Sequence, residues 1–201
     1  SPTAKESICA PAVKVIVRGY WNRCPLGGDL LAAGYSGGLE ICLSLPGWRN
    51  NDAVLNWRTV AHEWSHVVQF NLADLSEVPA WLSEGSAEWM AWSAAAHFDA
   101  VNGAYAQTLM REWASRVATP LQNMLTLERL WGASPGNADS YGVAYWAVEF
   151  LGATPQKLLL FHRRLGEGMK FQQAAKRTFG RAINLKFYKD FEEFRARGFY
   201  S

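Results

Sequence analysis

Hydrophobic and polar residues alternate along the first quarter of the chain and take up helical spacing after it. Residues 12–18 (AVKVIVR) are dense in β-branched side chains and predict a strand. Residues 19–29 carry Gly, Pro and Asn and predict a loop. Residues 30–36 predict a second strand, edge-like or bulged because of Gly34 and the Gly37-Gly38 pair behind it. Residues 39–45 (LEICLSL) predict a third, with Leu39, Ile41, Leu43 and Leu45 on one face. Pro46 and Gly47 end it, and residues 47–52 form a polar turn.

From Ala53 onward the pattern is helical. Residues 53–72 predict a long helix with Asp52 as its N-cap and Val60, Val67 and Val68 on its core face. Residues 79–98 predict a second, with Pro79 in the first turn, where a missing N–H costs little. Five more are expected over 104–118, 138–151, 155–166, 171–179 and 185–197, with a short turn at 126–131 and a Gly/Pro loop at 133–137. There is no internal repeat, low-complexity stretch or linker. A small sheet followed by helices makes the class α+β.

Composition narrows the picture. The 201 residues suit one domain, and 49% apolar with 19% charged residues is a packed chain, not a disordered one. Ten tryptophans imply a large aromatic core; Trp64, Trp81, Trp89 and Trp92 fall on the first two helices. The formal charge of +2 comes without a dense basic block, so no nucleic-acid partner is expected. No apolar run reaches the ~18 residues a membrane span needs. No signal-peptide pattern is read at Ser1, which fits a mature or trimmed start. Cys9, Cys24 and Cys42 fit either one disulfide and a thiol in an exported protein or three thiols in a cytosolic one. The expectation adopted is a secreted or extracytoplasmic protein of open oligomeric state.

The candidate chemistry lies in the first helix. His62-Glu63-Trp64-Ser65-His66 reads His-Glu-x-x-His, which puts both imidazoles one turn apart on one face. That pair can hold one Zn²⁺, with Glu63 beside it as general base. A third ligand is then required. Glu84, 18 positions after His66 on the next helix, has enough chain before it to return alongside. Glu88, one turn further on the same face, can take the outer N–H of a ligating histidine and fix its tautomer. His97 and His162 stand apart from the motif, and Asp74 reads as a turn residue.

HEWSH followed by PAWLSEGSAEW resembles the gluzincin clan of zinc metallopeptidases, which includes the thermolysin and aminopeptidase N families. The W-L-x-E-G-x-A-E-aromatic pattern is most like the small peptidase-MA-like domains of that clan. The resemblance implies a zincin-like fold. A small mixed-sheet lobe (about 1–50), an active-site helix (about 53–72) and a helical lobe (about 79–201) would form one domain around a His₂Glu zinc site. It implies that residues 30–36 form the cleft's edge strand, whose backbone at Gly34 and Tyr35 would bind an extended peptide by strand addition. Tyr141, opening YGVAYWAVEFL, is similar to the first tyrosine of a clan helix and would help hold the oxyanion; Tyr145 is a weaker rival. The likeness is strong over 62–88, moderate over 141–151 and weak elsewhere. No Gly-x-Met-Glu-Asn segment precedes the metal helix, and that segment is what binds a free amine in the aminopeptidases.

The expectation is a zinc-dependent endopeptidase acting on a peptide or protein substrate. A non-catalytic binding module with a vestigial zinc site, and a zinc hydrolase of another bond type, stay open as alternatives.

Overall fold

Three short strands, β1 (Lys14–Arg18), β2 (Ala32–Tyr35) and β3 (Gly38–Cys42), pair in the order β1-β3-β2. β1 runs parallel to β3, with Lys14 beside Gly38; β2 runs antiparallel, with Tyr35 opposite Gly38. The turn between β2 and β3 contains Gly37 at φ +85°, a backbone shape that a residue without Cβ adopts cheaply. The computed structural model describes residues 14–18, 32–35, 37–42, 48, 53–126 and 139–199. Several sequence expectations lie outside those residues: the loop over 19–29, Leu43 and Leu45, Asp52 as N-cap, Cys9 and Cys24, and the loop over 133–137.

Seven helices follow among the described residues: α1 (Ala53–Leu72), α2 (Ala80–His97), α3 (Gly103–Ser115), α4 (Asp139–Phe150), α5 (Pro155–Gly166), α6 (Phe171–Phe179) and α7 (Leu185–Ala196). The fold is therefore α+β and mostly helical. No described helix is long and apolar enough to cross a membrane. Several helix boundaries follow local chemistry. Asn102, Thr154 and Asn184 accept hydrogen bonds from the first-turn amides of α3, α5 and α7. Gly180, at φ +74°, stops α6. α2 has no side-chain cap. Its first two amides instead donate to the carbonyls of Leu125 and Met124, at 3.2 and 3.0 Å.

α3 ends at Ser115, short of the predicted 118. Thr119 precedes Pro120, which disfavours helical backbone there. Arg195 from α7 donates to the carbonyls of Val117 and Thr119, supplying partners that an extended helix would not need. A short 3₁₀ turn at Leu121–Asn123 follows, just before the segment where the sequence predicts a turn.

α2 and α4 form the centre. Trp81, Leu82, Trp92, Met110, Leu121, Met124, Phe161 and Phe191 are fully buried around them. Phe150, Phe187, Phe191 and Phe194 then pack ring against ring on the α7 side, with centroids 5.0–6.2 Å apart. On α1, Val67 is buried and Val60 half-buried, but Val68 is 38% exposed and Trp64 42% exposed. The predicted core face is therefore off by part of a turn, because the two histidines occupy the side that meets α2. On β3, Leu39 and Glu40 are both buried, so the strand is not solvated on one face as simple alternation implies.

Backbones approach closely where glycine permits it. A Cβ on Gly85 of α2 would come within 2.5 Å of the Ala144 carbonyl oxygen on α4. Gly103, in the first turn of α3, has only a methyl group at 4.0 Å. Gly85→Ala is therefore expected to lower unfolding stability by ~1–3 kcal/mol in urea titrations. Gly103→Ala should leave it unchanged or raise it by up to about 1 kcal/mol. Equal effects from the two would contradict the packing described.

Candidate metal centre

α1 lies against α2 on one side and β2 on the other. This brings the central turn of α1 under the edge strand and beside the first half of α2. His62 and His66 are 4% and 5% exposed, and Glu84 enters from α2 half-buried. His62 Nε2 and His66 Nε2 lie 3.1 Å apart, and Glu84 Oε2 lies 3.2 and 3.1 Å from them. A tetrahedral ion with bonds of about 2.0–2.1 Å spaces its ligand atoms roughly 3.3 Å apart. The three atoms are close to that spacing, and this group could hold a metal ion.

Donor chemistry supports the same conclusion. His62 Nδ1 faces Glu88 Oε2 at 3.0 Å, and His66 Nδ1 faces Gln69 Oε1 at 2.9 Å. A carboxylate accepts only. Gln69 must present its oxygen to His66, because its Nε2 donates to Ser83 O and Ser86 Oγ. Both rings therefore carry their proton on Nδ1, and both Nε2 lone pairs point at each other and at a carboxylate. Three acceptors with no donor between them require positive charge. The formal count agrees: Glu63, Glu84 and Glu88 against Arg58 leave two negative charges, which a divalent ion would cancel.

Without a metal, protons fill that need. Burial disfavours charge on His62, but hydrogen bonds to Glu84 and Glu88 outweigh it and lift the pKa to about 9. His66 moves the same way, chiefly because Glu84 offsets its burial. Glu84 is held well below the usual carboxylate range; burial opposes this, and His66 and His62 overcome it.

Behind the triangle, Glu88 has no exposed surface. Its oxygens accept from Arg58 Nε at 2.8 Å, Trp92 Nε1 at 2.6 Å, His62 Nδ1 at 3.0 Å and Arg58 Nη2. Burial alone would neutralise such a group, yet Arg58 and His62 together bring its pKa down to about 2.

Glu63 is half-buried on the strand side of the triangle. Its Oε2 accepts the amide N–H of Gly34 at 2.8 Å. That amide, expected from the sequence to serve substrate, here holds Glu63. A Cβ on Gly34 would overlap the Glu63 carbonyl oxygen, so only glycine lets β2 approach this closely. Tyr35 is 39% exposed. Tyr141 on α4 meets His62 edge-on, with centroids 5.4 Å apart. Phe70 stacks on the other histidine, His66, at 5.7 Å and is exposed beside it.

Tyr145 is buried in the core, its pKa driven up by burial and then by Glu149 and Glu88. His97 is exposed at the end of α2, and His162 is buried with Nδ1 on the Leu158 carbonyl. Asp74 caps the amide of Ser76, as a turn residue does. Sequence reasoning missed Arg58, Gln69, Ser83, Ser86 and Trp92. Two of them carried a readable signal. Arg58 stands four residues before His62, and Gln69 three after His66, both spacings that share a helix face.

Metal uptake must displace protons from this site. In the metal-free protein His62 contributes stability in full below its ordinary pKa of 6.5, and that contribution is lost as pH rises through about 9. Metal binding needs the neutral ring, so it strengthens over the same window. Affinity for an added divalent ion is expected to rise roughly tenfold per pH unit for each proton released. Calorimetry in buffers of differing ionisation enthalpy would measure that release, and an affinity flat with pH would contradict the protonation described.

No protein-family model matches this chain, and comparison with curated proteins and with solved structures returns no match.

Proposed function

We propose that this chain is a zinc-dependent peptidase of the gluzincin type that cleaves internal peptide bonds. The observation that carries the reading is the triangle of His62, His66 and Glu84 with Glu63 held beside it on the strand side. Two nitrogens and one oxygen at tetrahedral spacing suit zinc, and three protein ligands leave a position that structural sites fill with a fourth. When bound, zinc supplies Lewis acidity, which acidifies water and polarises a carbonyl.

The chain's own residues supply the rest. His62, held by Glu88, and His66, held by Gln69, keep their lone pairs aimed at the ion. Glu63 takes a proton from the attacking water as oxygen bonds to the scissile carbon. It returns that proton to the departing amine as the C–N bond breaks. The Gly34 amide fixes one oxygen of Glu63 and leaves the other for this transfer. Tyr141, packed against His62, would donate to the oxygen that gains charge. The edge strand β2 offers backbone for an extended substrate, and the sequence lacks the segment that would grip a free amine.

Glu63→Gln is expected to keep stoichiometric zinc and lose nearly all cleavage of a peptide library; near wild-type cleavage would refute the mechanism. Glu84→Ala should lose zinc, measured by elemental analysis after dialysis, and full occupancy would remove Glu84 from the ligand set. Tyr141→Phe should retain zinc and slow cleavage by roughly 10²–10³, the usual cost of losing one oxyanion donor. A twofold effect would assign Tyr141 to packing.

A further inference from the structure

Arg58 has no part in the ligand set or in the proton transfer, yet it touches the groups on which both depend. Its side chain is 13% exposed, with the guanidinium turned inward from α1. Nε donates to Glu88 Oε1 at 2.8 Å and Nη2 to Glu88 Oε2, a two-pronged grip on a carboxylate without exposed surface. The oxygen that Nη2 holds is the one to which His62 Nδ1 donates. The same guanidinium lies 5.3 Å from the Tyr141 ring centroid and 5.8 Å from that of Trp113. Tyr141 in turn meets His62. The four residues form a closed loop: Arg58 to Glu88, Glu88 to His62, His62 to Tyr141, Tyr141 back to Arg58.

We propose that Arg58 is a positioning residue that sets the His62 ring through Glu88 and the Tyr141 ring by direct cation–π contact, so that both take their places together. The inference rests on reading His62, His66 and Glu84 as metal ligands. A carboxylate gripped at both oxygens by a planar fork cannot pivot. Held at one oxygen, it can, and any pivot of Glu88 turns the His62 ring and moves Nε2 out of the triangle. Trp92 Nε1 steadies only Oε1, so it does not replace the fork. Lysine keeps the charge but offers neither the fork nor a planar cation over Tyr141.

The test compares wild type, Arg58→Lys and Arg58→Met by zinc affinity against a competing chelator, the visible spectrum of the cobalt(II) form and thermal unfolding of the metal-free protein. Arg58→Lys is expected to bind zinc about 10–100-fold more weakly, the usual cost of losing a ligand's outer support. Its cobalt band should shift while helical circular dichroism stays that of wild type. Zinc affinity within twofold of wild type, with an unchanged cobalt spectrum, would overturn the inference and leave Arg58 a structural ion-pair residue. Arg58→Met strips a buried carboxylate of two donors; if it does not fold, Arg58→Lys carries the test alone.

At saturating zinc, Arg58→Lys and Tyr141→Phe should slow peptide cleavage non-additively, the double variant being faster than the product of the two single losses. Additive losses would remove Tyr141 from the unit. The two readings fail separately. A wild-type protein that takes up no zinc defeats the metal site itself, whereas wild-type uptake matched by Arg58→Lys defeats only the role of Arg58.

Discussion

Three lone pairs converge on one point between α1 and α2, and the convergence holds only around positive charge. The polar architecture nearby is arranged outward from that point. The imidazoles can aim Nε2 inward because Glu88 and Gln69 occupy their outer nitrogens. Gln69 can present its oxygen because Ser83 and Ser86 take its amide hydrogens. Glu88 can stay ionised with no exposed surface because Arg58 and Trp92 join His62 on its oxygens. A buried carboxylate missing one such donor would be costly, and a partly satisfied network is worse than an apolar core. Each outer layer is a condition for the next one in.

The fold meets that condition by burying α2 on nearly every side. Trp81, Leu82, Ala87, Ala91, Trp92 and Ala95 are all out of contact with solvent, so α2 has no single apolar stripe and is packed all round. The small residues let its neighbours come near; at Gly85, beside the candidate ligand Glu84, the backbone of α4 passes too close for any side chain. That approach also brings Tyr141 to His62. Helix packing and ligand geometry are thus the same contact seen from two sides.

Much of this is legible in the chain. The span of α1, the limits of α5 and α6 and the α+β order follow from apolar spacing and from Thr154-Pro155 and Gly180. The ligand candidates follow from a five-residue motif and a glutamate on the next helix. What escapes is what depends on three dimensions. Val68 has the right residue type for the core but faces out, because the side toward α2 belongs to the histidines. Glu40 alternates with apolar residues like a solvated position, yet it is buried. Trp92 looks like core filling and is, but its indole N–H also serves Glu88, which no periodicity reveals. Thr119-Pro120 marks a nearby stop for α3, but the carbonyl partners beyond Ser115 come from Arg195, some 80 residues away in sequence, where no local rule reaches.

The Gly34 amide on Glu63 ties the sheet to α1 at a single carboxylate. With no room for a side chain between strand and helix, the sheet cannot slide along α1 without dragging that carboxylate or letting it go. The spacing of strand and helix and the aim of that carboxylate are therefore set by one contact. Any outward shift of β2 would break the Gly34–Glu63 bond and free that carboxylate.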